Sequence, residues 1–160
     1  MLMTEPDAPV TLTENTAQRS FTKVTFTWLD GASFNGSPII DYTISVAVGV
    51  GATDYSVLQA GVQLRSYSAT SLTIGETYNF KVQARNQFGL SDYSDAIALI
   101  CAFVPTAPDA PTTTVMGDYV TVAWTAPFDG GSVITDYTIQ IRQMDGGVYS
   151  QDLVNCDGTD

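Results

Sequence analysis

Lys23-Val24-Thr25-Phe26-Thr27-Trp28 returns later in the chain as Tyr119-Val120-Thr121-Val122-Ala123-Trp124. Two further anchors repeat in the same order. Pro6-Asp7-Ala8-Pro9 returns as Pro108-Asp109-Ala110-Pro111, and Gly36-Ser37-Pro38-Ile39-Ile40-Asp41-Tyr42-Thr43-Ile44 returns as Gly131-Ser132-Val133-Ile134-Thr135-Asp136-Tyr137-Thr138-Ile139. The spacing is 102 between Pro6 and Pro108, 96 between Trp28 and Trp124, and 95 between Tyr42 and Tyr137, so short loop deletions account for the drift. Several anchors in one order mark a tandem repeat.

Each anchor alternates with period two. Val24, Phe26 and Trp28 interleave with Thr25 and Thr27; Tyr42, Ile44, Val46 and Val48 interleave with Thr43, Ser45 and Ala47. Half-buried strands read this way, and Val, Ile, Thr and Tyr suit a pleated surface. Turn signals punctuate the runs at Asp30-Gly31, Asn35-Gly36-Ser37-Pro38, Gly49-Val50-Gly51, Gly75-Glu76 and Phe88-Gly89. No stretch carries a useful helical period. About seven short strands in roughly 95 residues predict an all-β chain folded as an antiparallel β-sandwich.

On these residues the chain resembles the fibronectin type III family, an immunoglobulin-like sandwich. The resemblance rests on Pro6 and Pro9 in the first strand, Trp28 on the second, and Ile39 and Tyr42 opening the third. It continues through Leu72, Gly75 and Tyr78, similar to a tyrosine corner, and through Val82, Ala84, Asn86, Gly89, Ser91 and Ser94. It implies that Trp28, Tyr42, Leu72 and Tyr78 are core residues, with Trp124 and Tyr137 as their repeats. One complete module is expected over 1–103, a Pro-rich linker over 104–111, and the N-terminal part of a second module over 112–160.

The second copy matches through its third strand; the Leu-Gly-Tyr corner and last two strands have no counterpart by Asp160. Val122, Trp124, Tyr137, Ile139 and Ile141 are therefore expected on an uncovered face. Each contributes about 1.5–3 kcal/mol only when buried. Either the chain is a window on a longer array whose strands follow Asp160, or a neighbouring molecule lends strands.

Composition narrows the partners. The 160 residues are 44% hydrophobic and 14% charged, with six Lys and Arg against 17 Asp and Glu, a formal net charge of −11. Nucleic acid and anionic lipid surfaces are repelled. No histidine is present, which removes His-based triads and the commonest metal ligand. No apolar run approaches the ~20 residues of a membrane helix. Met1-Leu2-Met3 followed by Thr4-Glu5-Pro6 lacks the pattern of a secretory leader.

Residues 104–160 hold eight aspartates and one base, Arg142, a net of −7. Asp129, Asp136, Asp145, Asp157 and Asp160 invite a calcium reading, yet their spacing matches no EF-hand loop and turn chemistry explains most of them. No other cofactor is indicated. Cys101 and Cys156 are too few for a structural zinc site. Cys156 has three readings: a disulfide with a partner beyond Asp160, a buried free thiol, or a bridge to Cys101. The stretch Cys156-Asp157-Gly158-Thr159-Asp160 resembles those in large multi-module protist proteins of this family, which implies the first. Asn35-Gly36-Ser37 is an N-glycosylation sequon at Asn35 and also a plain turn.

The expected role is a non-catalytic structural or adhesive module of an extracellular or cell-surface tandem-repeat protein. Its partners are other copies of itself or adjacent modules. Few lysines guard the sheet edges, so open edges are expected to be used for pairing. The alternatives are an accessory module of a secreted enzyme and an intracellular scaffold module.

Overall fold

The computed structural model describes residues 3–142 and 147–151. The chain divides into two units, the first ending at Val104 and the second beginning at Pro105.

The first unit is an all-β sandwich. One sheet joins β1 (Val10–Glu14), β2 (Val24–Leu29) and β5 (Ser66–Ala69), in the order β1-β2-β5. The other joins β3 (Asp41–Val48), β4 (Ser56–Val62), β6 (Thr77–Arg85) and β7 (Ile97–Ile100), in the order β4-β3-β6-β7. Every neighbouring pair is antiparallel. The β3–β6 ladder runs unbroken from Asp41 opposite Arg85 to Val48 opposite Tyr78. Two edge pairings break register: β1 against β2 between Val10 and Thr13, and β4 against β3 between Tyr42 and Ser45.

The alternation of β2 and β6 sends Phe26, Trp28, Phe80 and Val82 between the sheets. Phe80 is wholly buried and Trp28 and Tyr42 are 2% and 4% exposed. Phe26 lies 4.8 Å from Phe80, and Trp28 meets Tyr42 edge-on at 5.3 Å. Such ring pairs add about 0.5–1.5 kcal/mol beyond their buried area. Leu72 packs against this core half-buried. Tyr78 is buried, and its Oη accepts the Thr73 N–H at 2.9 Å. Gly75, at φ +84°, turns the chain there and gives its N–H to the Cys101 carbonyl.

Strict alternation does not describe the outer faces. Thr25, Thr43 and Ser45 were expected outward and are buried, Ser45 completely. Thr25 shares a 2.8 Å hydrogen bond with the Ser68 hydroxyl on β5. Thr43 and Ser45 sit on the central strand β3, opposite Gln83 and Lys81 of β6, with paired strands on both sides.

In the second unit β8 (Thr112–Met116) and β9 (Tyr119–Ala123) form a hairpin through Gly117-Asp118, with Gly117 at φ +62°. β10 (Ile141–Arg142) pairs with β11 (Tyr149–Ser150). The third strand expected to open at Tyr137 is laddered only at Ile141–Arg142. Its counterpart β3 is held on both sides by β4 and β6, and among the described residues nothing pairs with 137–140. Cys156, Asp145, Asp157 and Asp160 lie outside the described residues.

Candidate functional site

The repeated tryptophan and tyrosine form a pair in both units. β9 delivers Trp124 and the segment before β10 delivers Tyr137, and the rings meet edge-on at 5.2 Å and 67°. In the first unit the equivalent pair meets at 72° and is sealed by the core around Phe26 and Phe80. Trp124 and Tyr137 instead remain half-buried and line an apolar groove of about 600 Å³ with Val120, Val122 and Ile139. Val120 stands opposite Val115 and Val122 opposite Thr113, so this face is continuous across the β8–β9 hairpin.

The first unit is additionally tied by charge. Tyr42 donates a short hydrogen bond to Asp30, whose carboxylate also takes Arg65 Nε at 2.9 Å and a second guanidinium nitrogen at 2.6 Å. Asp30 follows β2, Arg65 precedes β5 and Tyr42 lies on β3, so the network joins the two sheets. The Arg65 hydrogen bond holds Asp30 below the usual carboxylate range, against some desolvation. Burial first, then the Asp30 bond, pushes the Tyr42 phenol up to about 12. A second bidentate pair joins Arg85 to Asp41, and Arg85 holds that carboxylate low as well. None of these partners is signalled by local sequence, because 35 residues separate Asp30 from Arg65 and 44 separate Asp41 from Arg85.

Asn35 is half-buried at φ +52°, and its side-chain Nδ2 donates to the Glu5 carbonyl at 2.7 Å and Asp7 Oδ1 at 3.3 Å. A glycan on that nitrogen would take over one of its hydrogens. Cys101 is a free, buried thiol that donates to the Phe21 carbonyl at 3.1 Å, and burial pushes its pKa up. Asp129 accepts the Gly131 N–H at 2.8 Å, the geometry of a turn aspartate. Among the described residues no three acidic or Cys side chains gather as a metal site. Lys81 Nζ stands 4.6 Å from the Tyr55 ring and 5.6 Å from the Tyr93 ring, a cation held by aromatic faces. No helix among the described residues is long and apolar enough to cross a membrane.

These features define a sandwich module whose side chains serve packing and cross-sheet tethering. Residues 7–99 match the fibronectin type III domain model, and the chain belongs to that family. A Kelch domain-containing protein of Saccharolobus solfataricus is 37% identical over 86 residues, covering 53% of this chain and 12% of that protein. Fibronectin type-III domain-containing protein 3A of Mus musculus is 28% identical over 130 residues, covering 79% of this chain and 10% of that protein. The chain thus spans about a tenth of these relatives. A crystal structure of domains from titin superposes with a TM-score of 0.55 at 28% identity, covering 61% of this chain and 32% of that one. Fibronectin type III domains recur in such multi-domain proteins and are generally non-catalytic.

Proposed function

We infer that the chain is a non-catalytic structural segment of an extracellular tandem-repeat protein, one link of a filament or multi-module array. The observation that carries this reading is the groove over Trp124 and Tyr137. The first unit shows what fills the equivalent space: β6, with Tyr78, Phe80 and Val82 alternating toward the core. The groove is accordingly a seat for a strand of that alternating pattern, supplied by a continuation of this chain past Asp160, by an adjoining module or by another copy. Strand insertion of this kind combines backbone hydrogen bonds with burial of alternate side chains, which suits a load-bearing joint. The 130-residue match to a multi-domain protein, reaching past the first unit, supports a tandem setting.

The test uses Trp28→Phe, which leaves Trp124 as the sole indole. Emission shielded from water, together with a scattering mass above one chain that grows with concentration, is the expected result. A monodisperse monomer with water-exposed Trp124 emission overturns the reading. A second reading, an intracellular scaffold module, is favoured by Cys101, buried and without a disulfide among the described residues. Two free thiols on counting under denaturing, non-reducing conditions would select it.

A further inference from the structure

The segment before β1 is gripped by two loops. Asn86, 2% exposed, donates from Nδ2 to the Thr4 carbonyl at 2.8 Å. Asn35 takes the next carbonyl, that of Glu5, and also Asp7 Oδ1. The Asp7 N–H closes the contact on the Ser33 carbonyl at 2.8 Å, and Pro6 and Pro9 are buried behind it. Asn35 sits in a tight Phe34–Ser37 turn with Gly36 at φ +82°, and it is the chain's one asparagine followed by glycine.

That dipeptide carries its own chemistry. Without a Cβ, Gly36 leaves its backbone nitrogen unhindered toward the neighbouring side-chain amide. We propose that Asn35-Gly36 is a one-way deamidation site whose reaction is held back by the Asn35–Glu5–Asp7 clasp and, once complete, unlatches the segment Thr4–Asp7. In the first step the Gly36 nitrogen bonds to Asn35 Cγ while the Cγ–Nδ2 bond breaks. Nδ2 leaves as ammonia, carrying the proton lost by Gly36. A solvent water then opens the five-membered imide. Attack at Cγ gives aspartate; attack at the main-chain carbonyl gives isoaspartate.

The clasp opposes the first step because Nδ2 is committed to Glu5 and Asp7, which turns the side chain toward the segment. Reaction therefore proceeds from the fraction of molecules in which the clasp is open. The product cannot re-form it. A carboxylate has no proton for the Glu5 carbonyl, and it faces the Asp7 carboxylate where a donor stood before. Isoaspartate also lengthens the backbone of a turn that already needs a left-handed residue.

The experiment incubates the full chain at mildly alkaline pH, folded and in urea, and follows each asparagine by peptide mapping. In urea Asn35 is expected to convert ahead of Asn15, Asn79 and Asn86. In the folded protein its rate should fall at least about tenfold, with Asp7→Ala recovering part of that loss. Hydrogen exchange at the residue-7 amide reads the latch directly. Asn35→Asp should speed it about tenfold or more, Asn35→Ser less, and the charge-dependent excess should vanish in Asn35→Asp combined with Asp7→Ala. Equal folded and unfolded rates at Asn35, or unchanged residue-7 exchange in Asn35→Asp, overturns the proposal.

Discussion

The two units open with the same sequence pattern and end in different states. Trp28 with Tyr42 and Trp124 with Tyr137 pair at nearly the same distance and angle, yet the first pair is sealed and the second faces a groove. Pairing is therefore local, set by strands and turns within the repeat. Burial is not local, since it comes from β6 and β7, whose partners lie tens of residues away. Tethering differs as well: two residues after Trp28 stands Asp30, the Tyr42 acceptor, whereas two after Trp124 stands Ala126. The residue before the repeated Gly-Ser is Asn35 in one unit and Gly130 in the other, so the second unit lacks the clasp amide.

The widest gap between the units should appear on removing the core rings. Phe80→Ala or Trp28→Ala should cost about 3–5 kcal/mol in denaturant unfolding. Trp124→Ala should cost only about 1 kcal/mol while its groove is open; equal costs for the two tryptophans would erase the contrast. Next in size is the cross-sheet tether. Tyr42→Phe, which leaves Asp30 to Arg65 alone, should cost about 1 kcal/mol.

That tether also gives opposite pH signatures. Asp30 titrates low in the folded state, so its contribution is present above the ordinary carboxylate range and is lost as acid protonates it. Asp30→Asn should flatten part of the acid limb of a stability profile. Tyr42 titrates high, so its contribution is present below the ordinary phenol value and is lost as pH rises through about 12. Ultraviolet titration should find one late phenol that Tyr42→Phe removes. Smallest of all, Lys81→Met should cost about 0.5–1 kcal/mol, through loss of the contacts to Tyr55 and Tyr93.

Much of the sandwich was legible because its inward side chains announce themselves. Val24, Phe26 and Trp28 alternate on β2, and Leu72, Gly75 and Tyr78 mark the corner whose hydroxyl bond the structure shows. Burial of Thr25, Thr43 and Ser45 was not legible, because it depends on what neighbouring strands lay over them. The Asp30–Arg65 and Asn86–Thr4 contacts were equally silent: each joins residues far apart, with no periodicity linking them. The groove itself was foreseen from the repeat. The shortness of the laddered stretch after Tyr137 was not, since strand propensity makes no ladder without a partner.

The rims of the first sandwich carry a last consequence. β5 and β7 span four residues each, while β1 and β4 are kinked by their slips in pairing, with Thr11 and Gly61 at positive φ. A foreign chain zipping along any of these borders would fall out of step within a few residues. Crooked borders thus offer a guard of a different kind from the edge lysines that this chain largely lacks.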